Sequence, residues 1–326
     1  MNVLIFTRSP EHGSSITAKH WNDALGRNGL KELKHRLTIC HSEADLAGHL
    51  AEADIIVSSR ADLRHIVVPD NTAARYIFFA FAGVDHLAPF DWVPAGAHVV
   101  NNSGATGRAI GEYAITALLL LSNGIAYGRE RDFASSAARK GFASLAGRTV
   151  TIVGAGGVGG AVAAMCGAFR MEVSGVRRSG REHPDFKAMY SPSDLANAIG
   201  ESEFVVIACP VTAETRGLFD AAVIARMKPG AFLINIARGS IVDEDAVCDA
   251  VERGALGGAV LDVVSTSASV PGARVHNTPG ILVTPHVSGD DKHHFIANSL
   301  DVCLINLKQF IEGREPGNAI DFDIGY

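Results

Sequence analysis

Three groups of residues in this sequence have types and spacings that can do chemistry. The first is Gly154-Ala-Gly-Gly-Val-Gly159, which follows an apolar run at 150–153 and opens a helical pattern over 158–168. G-x-G-x-x-G between a strand and a helix is the arrangement that seats a dinucleotide. Gly154 allows the tight turn, Gly156 lets backbone approach a pyrophosphate, and Gly159 lets the helix pack on the strand. The helix start, with Gly157 and Val158, offers free N–H groups and a positive dipole end to the phosphates. The second group stands about 20 residues on, where an Asp or Glu would hold a ribose 2′-hydroxyl. The sequence there reads Arg177-Arg178-Ser179. Two guanidiniums suit a 2′-phosphate, so NADP(H) is preferred and NAD(H) is second. The third group is Arg238, which follows a strand pattern at 232–236, and His286, which follows 281–284 through Pro285. Both fall at carboxyl ends of strands, where ligands bind in parallel sheets. Alone, an Arg there is most often a solvated surface residue, and a His most often structural.

Taken together, the motifs carry a resemblance. Phe81-Ala-Gly-Val-Asp-His86, Asn101-Asn-Ser-Gly104 before Gly111-Glu112, and Val153-Gly-Ala-Gly-Gly-Val-Gly159 come first. Cys209-Pro-Val-Thr-Ala-Glu-Thr215, Met227-Lys-Pro-Gly230 and Asn235-Ile-Ala-Arg-Gly239 follow, then Leu261-Asp-Val263, Thr284-Pro-His286 and Asn318-Ala-Ile-Asp321. In this order, across nearly the whole chain, they resemble the D-isomer-specific 2-hydroxyacid dehydrogenases of the glyoxylate/hydroxypyruvate reductase type. The resemblance implies hydride transfer between NADP(H) and a small 2-oxo or 2-hydroxy acid. Arg238 would bind the carboxylate and polarise the C2 carbonyl, and His286 would be the general acid or base. Backbone N–H groups of Ala82 and Gly83 would hold the substrate carboxylate. Asp262 would accept from the nicotinamide carboxamide. Cys209, Pro210 and Thr215 would line the adenosine side, and Ile236, Ala237, His286 and Ser288 would complete the cofactor site. The Ser58-Ser59-Arg60 turn would face the substrate side chain. No metal ligand set is assigned.

One position departs from the family pattern. Relatives carry a Glu five residues after the Asp of Leu-Asp-Val, paired with the catalytic His. Here that position is Ser267, and residues 263–285 contain no Asp or Glu. Three consequences stay open. The enzyme works with Ser267, a water, Asp290 or Asp291 orienting His286. It works on a donor that needs little proton transfer. Or the protein binds NADP(H) as a sensor or interaction protein with weak or no turnover.

The elements that must position these residues follow from pattern. β-branched runs bounded by turns predict strands at 3–6, 55–58, 76–80 and 98–101, with helical spacing at 44–53. Helical patterns follow over 109–124 and 129–139. From Thr149 a second series predicts six strands, at 150–153, 173–176, 204–208, 232–236, 259–263 and 281–284. Helices over 158–168, 193–200, 221–227 and 243–253 join them. This alternation predicts an α/β protein of two Rossmann-like doubly wound parallel-sheet domains with a cleft between them. A last helix over 291–312 has no strand left to join and should return to the first domain. The expected division is a substrate-binding domain of 1–101 plus 289–326 and a dinucleotide-binding domain of 102–288. Hinges are expected near Asn101 and Ser288. By resemblance the protein is a homodimer.

Composition sets the outer bounds. The chain has 326 residues, 47% hydrophobic and 20% charged, which excludes a mostly disordered protein. A net charge of −6 without any basic block weighs against nucleic-acid or anionic-membrane partners. Five cysteines lie far apart without a C-x-x-C, as reduced core thiols do. The longest apolar stretch, near 113–121, is about half a membrane span. The N-terminus lacks the flanks of a signal peptide. A soluble, cytoplasmic protein is expected.

Overall fold

Runs of Val, Ile, Phe and Tyr become strands here because such side chains pack well on a pleated surface. In the computed structural model, which describes residues 1–9, 15–60, 63–124, 143–270, 272–291 and 293–325, they build two units. One is Met1–Thr106 with Asp291–Tyr326, and the other is Gly107–Asp290. The helix expected over 129–139 lies outside the described residues.

The first unit opens with β1 (Asn2–Phe6), α1 (Ala18–Arg27), β2 (Arg36–Cys40) and α2 (Glu43–His49). It continues with β3 (Ile55–Ser58), β4 (Tyr76–Phe79) and β5 (His98–Val100). The sheet order is β2-β1-β3-β4-β5, and every pair is parallel. β3 and β4 are buried throughout, as central strands covered on both faces must be. Helix starts are fixed by side-chain caps. Thr17 accepts from His20 N–H at the start of α1, and Ser42 accepts from Asp45 N–H at the start of α2. α1 and β2 are additional to the expected pattern.

The second unit begins with α3 (Gly107–Ser122), β6 (Thr149–Val153), α4 (Gly157–Ala168), β7 (Glu172–Val176) and β8 (Ala188–Tyr190). α5 (Leu195–Gly200), β9 (Phe204–Ile207), α6 (Ala221–Ile224) and β10 (Ala231–Asn235) follow. It closes with α7 (Glu244–Glu252), β11 (Leu256–Leu261), α8 (Arg274–Asn277) and β12 (Ile281–Val283). The order is β12-β11-β10-β9-β6-β7-β8, all parallel. Six strands were expected and the sheet has seven, because β8 adds to the edge beside β7 with Val176 opposite Tyr190. α6 is also shorter than the pattern suggested. Small residues let α3 lie close on α4. A Cβ at Gly111 would come within 2.8 Å of Met165 Cγ.

The chain then returns to the first unit as α9 (Phe295–Ile311). Leu300, Cys303, Leu304 and Leu307 of α9 join the core around β1, β3 and β4. The buried Tyr76 hydroxyl donates to Cys303 O at 2.8 Å, and Arg27 pairs with Asp301 at 3.0 Å. Ile320 N–H donates to Val99 O at 2.8 Å, tying the last segment to β5. Two fully parallel sheets, each with helical crossovers, make the two-domain α/β architecture predicted from the sequence.

Candidate active site

The order of the second sheet reverses between β6 and β9, the place where such sheets bind ligands. β6 ends in the glycine loop. Gly154 has φ 105°, and a Cβ there would collide with the Cys209 backbone after β9. Gly159 abuts the Gly154 carbonyl and Ile152 of β6, so a side chain would push α4 off the strand. At Gly156, the residue before α4, a Cβ would meet nothing within 4 Å, and no side chain caps the helix. Open space against uncapped N–H groups at Gly157 and Val158 fits an incoming phosphate.

The remaining cofactor candidates surround this loop. Arg177 is half-buried and Arg178 and Ser179 are exposed, all just past β7. Arg177 N–H is held by Tyr190 O at 3.1 Å. Cys209 is buried, and burial pushes its thiol up to about 11. The Thr215 hydroxyl is used inside its own turn. It donates to Pro210 O at 2.7 Å and accepts from Thr212 N–H at 2.7 Å, so it shapes the 210–215 loop.

Arg238 stands three residues past β10, preceded by the buried Ile236 and Ala237. The fully buried Asn235 bridges this turn. Its amide donates to Arg238 O at 2.9 Å and its carbonyl accepts from Ala237 N–H at 3.0 Å. The Arg238 guanidinium donates to Ala237 O at 2.8 Å.

His286 lies past β12, with an exposed side chain and a left-handed backbone, φ 56°. That conformation costs roughly 1–2 kcal/mol and is held by its neighbours. His286 N–H donates to Asp262 O and to Thr284 O, both at 2.9 Å. The Asp262 carboxylate is 1% exposed. It accepts from the Thr284 hydroxyl at 2.6 Å, Val287 N–H at 2.9 Å and Ser288 N–H at 2.9 Å. Asp262, the residue expected to meet a nicotinamide carboxamide, also anchors the loop that bears His286 and the buried Ser288. One acceptor position remains on its Oδ2.

Sequence reasoning missed Tyr113. Because Thr284 gives its proton to Asp262, the Tyr113 hydroxyl, 2.5 Å away, donates to Thr284. Burial pushes this phenol up to about 12, so it stays a donor. Its position beside the quoted Gly111-Glu112 was the available signal. The orienting acid considered at Asp291 is committed to its own turn, where it accepts from His293 N–H and His294 N–H. Ser267 is exposed and in contact with Ser265 Oγ at 3.0 Å. Ala82 and Gly83 are half-buried in the first unit, past the end of β4. Ser58 donates to Arg60 O at 2.8 Å, and the Arg60 guanidinium lies over the Phe6 ring at 4.8 Å. No described helix is long and apolar enough to cross a membrane.

The second unit thus carries the glycine loop, Arg238, Asp262 and His286 at the carboxyl ends of its strands. A family model for the NAD-binding domain of D-isomer-specific 2-hydroxyacid dehydrogenases matches residues 115–288. The chain is 30% identical over 321 residues to a glyoxylate reductase of Pyrococcus furiosus, covering 92% of this chain and 94% of that one. It is 27% identical over 264 residues to D-3-phosphoglycerate dehydrogenase of Synechocystis, covering 80% of this chain and 48% of that longer protein. Among solved structures, a D-isomer-specific 2-hydroxyacid dehydrogenase family protein from Aeromonas salmonicida is 27% identical, with TM-score 0.78 and 99% of both chains covered. The NADPH-dependent glyoxylate/hydroxypyruvate reductase of Sinorhizobium meliloti, bound to NADP, shares the fold at 23% identity, TM-score 0.75 and full coverage of both chains. The NAD-bound 2-hydroxyacid dehydrogenase of Lactobacillus delbrueckii does so at 20% identity and TM-score 0.75, covering 98% of this chain and 100% of that one.

Proposed function

This chain belongs to the D-isomer-specific 2-hydroxyacid dehydrogenase family, and from that premise we propose that it reduces a small 2-oxo acid to the D-2-hydroxy acid with NADPH. The family makes it an oxidoreductase that uses a nicotinamide cofactor. The observation that carries the reading is the placement of Arg238 and His286 past β10 and β12, in the sheet whose β6 ends in the glycine loop.

In this reading Arg238 binds the substrate carboxylate and draws electron density toward the C2 oxygen. An imidazole nitrogen of His286 gives its proton to the C2 oxygen as that oxygen becomes an alkoxide, and takes it back in the reverse direction. Bound NADPH supplies the hydride to C2. Gly154, Gly156, Gly157, Val158 and Gly159 bind its pyrophosphate, and Arg177, Arg178 and Ser179 its 2′-phosphate. Asp262 keeps His286 and Ser288 in place. A cytoplasmic homodimer completes the reading, and sedimentation of the purified chain tests the dimer.

NADPH oxidation measured across a panel of 2-oxo acids, glyoxylate and hydroxypyruvate included, tests the function. Steady turnover with one of them is expected. The absence of an acid from 263–285 supports a second reading, an NADPH-binding sensor. Tight NADPH binding with no turnover on any acid would select it.

A further inference from the structure

The loop that bears His286 hangs from Leu261, the last residue of β11, and from Asp262 after it. Thr284 N–H donates to Leu261 O at 3.0 Å, and His286 N–H to Asp262 O at 2.9 Å. Pro285 between them has no N–H. Val287 N–H and Ser288 N–H turn to the Asp262 carboxylate, both at 2.9 Å. Every backbone donor from Thr284 to Ser288 thus has Leu261 or Asp262 as an acceptor, and His286 is held at φ 56°. These bonds tie the loop to its own sheet. A chain of two hydroxyls ties it to a helix. The Thr284 hydroxyl spends its one proton on Asp262 Oδ1 at 2.6 Å, so its oxygen accepts from the Tyr113 hydroxyl at 2.5 Å. Tyr113 stands on α3. Burial pushes its phenol up to about 12, so the proton stays on it through the neutral range.

The same helix is fixed against the cofactor loop. Gly107 and Gly111 lie about one turn apart on α3 and face α4. A Cβ at Gly107 would stand 3.0 Å from Ala161 Cβ and 3.8 Å from Gly157 O. One at Gly111 would stand 2.8 Å from Met165 Cγ and 3.2 Å from Ala161 O. Packing this close leaves α3 little room to slide along α4. α4 itself starts at Gly157, inside the glycine loop. We propose that Tyr113 is a positioning residue for the reaction, setting the His286 loop in register with the cofactor held at the glycine loop. It acts through Thr284 and Asp262 and gives no proton to the substrate. This deepens the reading of His286 as proton donor and rests on it.

Ring and hydroxyl of Tyr113 have separable duties. The ring packs against the apolar cluster that holds Val150 and Ile152 of β6 and Val162 and Cys166 of α4. The hydroxyl fixes Thr284. A bond donated into the Thr284 oxygen also polarises its O–H toward Asp262, which strengthens the grip on the loop. Phenylalanine keeps the packing and loses the hydroxyl. Thr284 then still reaches Asp262, but nothing on α3 holds it there. The placement of a proton donor matters at this scale, because a shift of about 1 Å can cost roughly 10²-fold in rate.

Tyr113→Phe in the full chain tests the proposal. Backbone amide exchange is read by mass spectrometry on peptides over 284–290 and over 149–153, the second being β6. Exchange over 284–290 should quicken about fivefold, the scale of one lost hydrogen bond, while β6 stays as it was. With NADPH and the 2-oxo acid that the unaltered chain turns over fastest, kcat should fall about tenfold. KM for that acid should stay within about twofold, since the hold on its carboxylate is untouched. Unchanged exchange over 284–290 overturns the inference. So does faster exchange in both peptides, which marks general loosening, and so does undiminished kcat beside a loosened loop. Undiminished turnover in His286→Gln overturns the proton-donor role beneath it. The exchange experiment needs no turnover, so it judges the hold of Tyr113 on the loop by itself.

Discussion

At Arg238 charge and geometry can be told apart. Lysine keeps the charge but loses the planar two-point grip on an α-keto carboxylate. Arg238→Lys should cut kcat/KM roughly 10²-fold, the scale of losing an oxyanion-stabilising donor. NADPH affinity, measured by fluorescence quenching, should change little, since the phosphate-binding glycine loop follows β6 and Arg238 follows β10. Near-normal turnover in the variant would remove Arg238 from the site. The cofactor choice turns on Arg177 and Arg178. NADPH should bind at least about tenfold more tightly than NADH, ~1.4 kcal/mol, as charge-assisted phosphate contacts give. Arg177→Asp should reverse that order in a titration with both cofactors, and equal affinities in the unaltered chain would sink the assignment.

Elements set how much of this was visible beforehand. Gly154 carries two constraints at once, a left-handed φ and backbone contact with Cys209. Gly154→Ala should destabilise the chain by roughly 1–3 kcal/mol and abolish tight NADPH binding. A melting curve and a binding isotherm equal to those of the unaltered chain would contradict this account of the loop. The loop was legible because its six residues are contiguous and follow a strand pattern. β1, β3, β6 and β9 were legible because Val and Ile runs sit between turns. β2 escaped because Arg36-Leu37-Thr38-Ile39-Cys40 mixes polar and apolar residues on an edge. β8 escaped because Ala188-Met189-Tyr190 has no β-branched residue and is a strand only by pairing with β7. The anchoring role of Asp262 depends on which strands are neighbours. No local spacing states that.

At the scale of the whole molecule, burial governs the thiols. All five cysteines are buried. Burial raises Cys40 and Cys209 from 9.0 to about 11, and Cys166 to about 12. Cys248 and Cys303 move the same way. A thiol reagent near neutral pH should label none of them in the native chain and all five in denaturant. The folded values lie above the unfolded ones. Stability from the neutral thiols is therefore complete below pH 9.0 and is lost as pH rises towards 11. A denaturant midpoint that stayed level from pH 9.0 to 11 would contradict this.

The return of α9 to the first unit has a consequence for synthesis. Gly107–Asp290 is one uninterrupted stretch, whereas the first unit is split, with Leu300, Leu304 and Leu307 needed in its core. Domains usually fold in the order in which they leave the ribosome. Here the order should invert, because the earlier residues wait for the last helix while the middle stretch already has its whole sheet. Nascent chains arrested once β12 has emerged should resist protease across the elements β6 to β12 and be cut among β1 to β5. Uniform protection of both stretches at that stage would show that the split core can close without α9.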